Sequence, residues 1–222
     1  MYCFMISLSL ISSLLNNAPF LENPQYPKQS AKVLQRMYEQ SEGTLTMEWD
    51  ETVQSPKLLA GKLTEPSAHS PGWISYAYLD SIKTLYGLKR VKDDLKIVSI
   101  EQSDDVLKVY LQRQLYNKPV CGNLLTIDLD RSGSIRRIEG SLDTGLEKQR
   151  LGRPMYPAVT KDEAMKIALS SDHSLQGSKT IHIDQCYLPS RTGVPLVYVV
   201  NYERDGLPAS LMIHSITGRI IK

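Results

Sequence analysis

The chain has 222 residues, 41% of them apolar and 23% charged, and its 26 basic and 24 acidic side chains leave a net charge of +2. A folded chain of this length buries about 70% of the surface that its unfolded form exposes, so it can hold one generous core or two small ones without staples. Its charges are interspersed rather than blocked, which excludes a nucleic-acid footprint and a polybasic membrane patch. Even the locally basic stretch 131–153 carries Glu139, Asp143 and Glu147 and reads as a solvated face.

Residues 1–15 form an apolar run without a charge, too short to span a bilayer stably. The length suits the core of a secretory signal peptide, but the basic flank and the A-x-A cleavage site are missing. A degenerate signal and a mis-assigned or truncated start both fit, and secretion is the expectation. Residues 19–30, rich in Pro and Asn, read as a linker. The run 30–40 (SAKVLQRMYEQ) places Val33, Leu34, Met37 and Tyr38 on one helical face, with Gly43 as a stop. Alternation in TLTMEW and KLLAGKL, around Pro56, predicts strands. A second helix is predicted from Ser70, its cap, through about Tyr86, with Pro71 in its first turn and Gly87 at its end. Trp73 and Tyr76 read as core anchors within it.

Four strand-like runs follow at 95–102, 106–116, 123–130 and 134–142. Asp104-Asp105, Asn117-Lys118-Pro119 and Arg131-Ser132-Gly133 mark the turns between them. Residues 143–158 interrupt the pattern with Gly, Pro and charge. Thr160 and Glu163 then make a capping box for a helix through about Ser171. Strands at 180–188, 196–203, 209–214 and 219–222 complete the chain, with turn signals at Asp205-Gly206 and Thr217-Gly218. The expectation is an α+β fold: two tandem helix-plus-antiparallel-sheet (cystatin-like) subdomains behind a poorly structured N-terminal segment. The divisions are an apolar segment and linker at 1–29, a first unit at 30–145, a linker at 146–158 and a second unit at 159–222.

Cys3, Cys121 and Cys186 lie far apart and form no C-x-x-C pair, which excludes a zinc knuckle or redox dithiol and disfavours a disulfide framework. Cys121 and Cys186 can bridge only if the fold brings them together; two inert buried thiols is the preferred reading. The sequence has no H-E-x-x-H, G-x-S-x-G, phosphate-binding or dinucleotide-binding motif. His69, His173, His182 and His214 are scattered, and His182-x-Asp184 reads as a polar strand edge. No constellation supports catalysis, and no cofactor is expected.

One segment matches a metal loop. Asp128, Asp130, Ser132, Gly133, Ile135 and Glu139 occupy positions 1, 3, 5, 6, 8 and 12 of an EF-hand calcium loop. An EF-hand needs a helix on each side. Pro119 and Gly122 oppose the entering helix, Leu125, Ile127 and Leu129 alternate at strand period, and Gly140 cuts the exit. A hairpin with an acidic turn is therefore preferred, and Asp128, Asp130, Ser132 and Glu139 are disfavoured as calcium ligands.

The stretch 109–122 (VYLQRQLYNKPVCG) resembles the signature of the fungalysin/thermolysin prosequence (FTP) domain, Q-x-Y-N-G-x-P-V-x-G, through Gln114, Tyr116, Asn117, Pro119, Val120 and Gly122. Asp130–Gly133 matches its D-x-x-G turn, and Gly140 and Leu142 its N-G-x-L strand end. Residues 56–64 resemble the short segment before that domain's first helix. The chain departs at Lys118 (usually Gly) and Glu139 (usually Asn). Residues 160–222 are similar to a PepSY domain, with LVYVVNY at 196–202 and His214 in place of the usual acid in D-x-x-x-G-x-I-L. The ordered pair resembles a thermolysin-type prosequence over residues 44–222, without the protease. In that family the prosequence helps the protease fold and blocks its cleft until cleavage. The resemblance thus implies a non-catalytic, secreted module. Its partner would be a thermolysin-like metalloprotease catalytic domain, in cis or in trans, met by apolar burial and pairing at an open sheet edge. Ile220, Ile221 and Lys222 are the candidate contacts, or simply an edge strand. The alternatives are a fragment of a longer precursor and a cell-surface binding domain of other specificity.

Overall fold

The computed structural model describes residues 20–21, 23–103, 105–172, 175, 181–204 and 206–221. The expectations for residues 1–19, Cys3, Asp104, His173, Asp205 and Lys222 lie outside the described residues. The fold is α+β. Helix α1 (Lys28–Gln40) buries Ala31, Leu34 and Met37. It precedes the hairpin of β1 (Thr46–Asp50) and β2 (Ser55–Ala60). Helix α2 (Pro71–Ser81) starts as its sequence requires, with Ser70 Oγ accepting from the Trp73 N–H at 3.4 Å. It stops earlier than its periodicity suggests. Ile82 turns out at φ −119°, and a 3-10 turn over Lys83–Tyr86 carries the apolar face on to Gly87. The one-turn helices α3 (Val91–Asp94) and α4 (Leu146–Gln149) are too short for periodicity to reveal.

Strands β3 (Leu95–Gln102), β4 (Val106–Leu115), β5 (Lys118–Asp130) and β6 (Ile135–Glu139) form a meander, and β6 returns beside β2. The spatial order is β1-β2-β6-β5-β4-β3. Beyond helix α5 (Lys161–Ser171), β7 (His182–Tyr187), β8 (Leu196–Arg204), β9 (Leu207–His214) and β10 (Ile220–Ile221) pair in sequence. β5 pairs in parallel with β7 at Val120 and Tyr187, so the two antiparallel groups of strands, ten in all among the described residues, form one mixed sheet.

One turn differs from the sequence reading. Leu115 pairs with Lys118, so the β4–β5 loop is Tyr116-Asn117 rather than Asn117–Pro119. Both loop residues take positive φ, 51° and 61°, the type I′ geometry that matches strand twist. Lys118 already belongs to β5. No glycine is required there, which explains how the chain accommodates its departure from the N-G signature.

Alternation along β4 and β5 turns Val109, Leu111, Leu125, Ile127 and Leu129 onto α1 and α2, where they join Leu34, Leu59, Leu79, Leu85 and Tyr86 in the main core. Arg113 is buried in the same face. Its guanidinium donates to the carbonyls of Asp143 (2.5 Å) and Gly87 (3.3 Å) and so ties the helical layer to the segment after β6. A second core gathers Ala164 and Ala168 of α5 against Ile183, Tyr198, Val200, Tyr202 and Ile213. The capping box at Thr160 and Glu163 fixes the start of α5.

Candidate docking surface

The signature-like stretch from Tyr116 to Cys121 sits where the two halves of the sheet meet. Leu115, Val120, Leu146, Tyr187, Val194 and Leu196 form a buried cluster there, with Tyr116 and Met155 packed on it. Polar contacts surround it: Lys118 Nζ donates to Gln185 Oε1 at 2.5 Å, Tyr116 O–H to the Leu151 carbonyl at 2.6 Å, and the Met155 N–H to Tyr187 Oη at 3.1 Å. The Arg150 guanidinium lies over the Tyr116 ring, 5.2 Å from its centre, and donates to its hydroxyl and to Glu147. Burial alone would raise the Glu147 carboxyl. Lys89 and Arg150 outweigh it and hold the group below its ordinary range.

Next to the Val120–Tyr187 pair, Cys121 and Cys186 form a disulfide, with Cα atoms 5.3 Å apart. This corrects the expectation of two inert thiols. The residues are 65 apart in sequence, and no local pattern records that β5 and β7 become neighbours. The bridge packs with Leu188, Val197, Val199, Met212 and Ile221.

That contact ties the bridge to the chain's last strand. Among the described strands β10 is a margin of the sheet and pairs with β9 alone: Ile221 stands opposite Met212 on the disulfide side, and Ile220 opposite the buried Ile213. Ile220 is 37% exposed. Of the three candidate contacts, Ile220 and Ile221 therefore lie on a strand that is an edge among the described residues; Lys222 lies outside them. His214 explains how the β9–β10 turn closes without its usual acid. Its Nδ1 accepts from the N–H groups of Ile216 (3.2 Å) and Thr217 (3.4 Å), as a carboxylate would in an Asx turn. Gly218 follows at φ 68°, where a Cβ would also press on Ile167.

The acidic loop is a β5–β6 hairpin. Asp130 accepts from Ser132 N–H and O–H, Ser134 N–H and Arg136 Nε, at 2.6–3.1 Å. The Ser132 hydroxyl leads, with Arg136 and the two N–H groups adding, and the carboxyl is held down to about 2. Asp128 faces Lys108 at 4.0 Å. Glu139 stands beside Thr126, four residues along β5 from Asp130 and roughly 13 Å away, and pairs with Arg137. Asp130 and Ser132 are brought together; Glu139 is not. Gly133 takes φ 78°, and a Cβ there would lie 2.1 Å from the Ser67 carbonyl. Among the described residues no group of three or more His, Cys, Asp or Glu side chains converges as metal ligands. His182 and Asp184 share a strand face at 2.9 Å, both exposed.

Trp73, expected in the core, is 51% exposed and stacks on His69 at 4.0 Å between ring centres. With Gly72, Tyr76, Ala77 and Ile97 it lines a groove of about 800 Å³ beside β3. An apolar helical face does not show which of its members lie beyond the sheet's margin. Tyr76 is half-buried, packed against the main core, and its hydroxyl binds the backbone of Leu95 and Ile97.

No protein-family model matches the chain. A stretch of 144 residues is 26% identical to Bacillolysin from Bacillus cereus, covering 63% of this chain and 22% of that relative. The chain thus spans about a fifth of the relative's length. Among solved structures, the YpeB C-terminal domain of Bacillus megaterium superposes with a TM-score of 0.40 at 12% identity, over 87% of this chain and 94% of that one. No described helix is long and apolar enough to cross a membrane.

Proposed function

We propose that the chain is a secreted, non-catalytic prosequence-like module that engages a thermolysin-like metalloprotease catalytic domain, in cis or in trans, restraining its activity, assisting its folding, or both. The observation that carries this reading is the 144-residue similarity to a segment amounting to 22% of Bacillolysin, in a chain that lacks H-E-x-x-H. The FTP-like and PepSY-like motifs within that order support it. The disulfide fits an oxidising, extracellular compartment.

The contact surface in this reading is the β10 edge. Ile220 and Ile221 lie in a strand that pairs with β9 on one side and, among the described residues, offers its other side to an extended segment or a cleft, while the disulfide cluster packed against Ile221 supports it. Rigidity matters because a pre-ordered strand loses less entropy on docking. The test is peptide hydrolysis by a purified thermolysin-like enzyme, with and without this chain at micromolar concentration, alongside refolding yield of the denatured enzyme. Slower hydrolysis or higher yield is expected, weakened by Ile220→Asp. No effect in either assay overturns the proposal. The small share of Bacillolysin covered favours a second reading, in which the chain is a piece of a longer precursor. A reading frame that continues beyond Lys222 into H-E-x-x-H would establish action in cis.

A further inference from the structure

We propose that the outer edge of β3 pairs antiparallel with β3 of a second copy, about a two-fold axis passing between Val98 and Ser99. β3 pairs only with β4 among the described strands; its own Val98 and Ile100 are 54% and 48% exposed, and the 51%-exposed Trp73 lines a groove with Ile97 of the same strand. This edge is remote in the pairing order from β10 and does not depend on the protease reading.

The choice of a second copy rests on self-complementarity. Two-fold pairing sets each residue opposite the one at an equal distance beyond the axis. Lys96 then meets Glu101 of the other chain, and Ile97 meets Ile100, twice each. In an unbroken strand, positions 96 and 101 would point to opposite faces. Here the register slips by one residue between Ile97 and Ser99. Lys96 stands opposite Gln112 and Glu101 opposite Lys108, positions four apart on β4 and so on one face. Ile97 and Ile100, opposite Leu111 and Val109, share the other face. A bulge and a lysine commonly blunt a sheet edge. In this strand the bulge restores the face parity that self-pairing needs, and the lysine has an anionic counterpart at the symmetric position.

The groove adds the apolar part. The α2 N-terminus lies close over Ile97, since a Cβ on Gly72 would come 2.9 Å from Ile97 Cδ1. The partner's Ile100, seated opposite Ile97, falls beside the wall made by Trp73. Such a dimer covers both exposed isoleucine rims and joins two sheets across one seam, the isologous arrangement usual for two-fold assemblies.

Sedimentation equilibrium of the full, oxidised chain tests this directly. A concentration-dependent monomer–dimer equilibrium is expected. Lys96→Glu or Glu101→Lys turns two attractive pairs per dimer repulsive and raises the dissociation constant by about ten-fold or more. An equimolar mixture of the two variants restores association, because each chain then carries the charges that the other lacks; the double variant restores it as well. Ile100→Lys abolishes the dimer. Tyr110→Phe, which removes only the hydroxyl that binds Glu101 at 3.0 Å, leaves association unchanged. A monomer at all concentrations overturns the proposal, as do single reversals without effect or a mixture that does not restore association. Loss of protease inhibition in these variants, with a monomeric parent chain, would assign the edge to the protease and equally overturn it.

Discussion

Breaking the Cys121–Cys186 bridge is the sharpest test of how the two halves are held. The link closes a loop of 65 residues, which includes the rest of β5, β6, the 146–158 segment and α5. Removing it frees the unfolded chain from that closure. The chain-entropy relation gives about 14 cal/mol/K for a loop of this length, or about 4 kcal/mol at 25 °C. Native packing is expected to change less, since Cys186 is buried with Leu188 and Val197, and Cys121 packs against the same cluster. Measured losses run from about 2 kcal/mol upward, and a domain's whole stability is about 5–15 kcal/mol. The assay is urea unfolding followed by far-ultraviolet circular dichroism, comparing the oxidised chain with Cys121→Ser/Cys186→Ser. A midpoint shift equal to about 2–4 kcal/mol is expected. A loss below about 1 kcal/mol would refute the view that the bridge constrains a long, otherwise open loop.

Three further outcomes follow from named contacts. Asp130 is held at about 2, below its unfolded value of about 3.9, so its contribution is present above pH ~4 and lost as pH falls through ~2. Because the group is partly solvated, about 1 kcal/mol is expected; Asp130→Asn should flatten stability between pH 4 and 2 relative to the parent, measured by thermal melts. His214→Asp should keep the β9–β10 turn, because a carboxylate can accept from Ile216 and Thr217, whereas His214→Ala should cost about 1 kcal/mol and speed amide exchange at both residues. Thr160→Ala removes the capping-box acceptor and should cost about 1 kcal/mol in chemical unfolding.

Trp73 and the β4–β5 loop show where sequence reading meets its limit. The helical period placed Trp73 on an apolar face, and the face exists. Which part of it overhangs the sheet depends on where β3 ends the sheet, and that is set by pairing far along the chain. The N-K-P triplet marked a turn correctly to within one residue, but the left-handed pair is Tyr116-Asn117 because Leu115 and Lys118 pair first. The acidic loop was legible as a hairpin because Leu125, Ile127 and Leu129 alternate and Pro119 and Gly122 oppose a helix. Its internal bonding, with Asp130 gathering Ser132, Ser134 and Arg136, was not.

By itself the sequence determined the longer elements and the layer architecture. Caps at Ser70 and Thr160, alternation along 106–130 and the positive-φ turns at glycines 87, 133 and 218 are set within a few residues and read directly from local chemistry, although what a side chain at those glycines would strike lies far along the chain. Only the tertiary structure decided that the two sheets join at Val120 and Tyr187, that Cys121 bonds Cys186, and that Ile221 packs on that bond while β3 and β10 are the edge strands at those margins among the described residues. Those features depend on which distant strands become neighbours. That choice is made by the packing of the whole core and leaves no periodic mark in the residues that carry it.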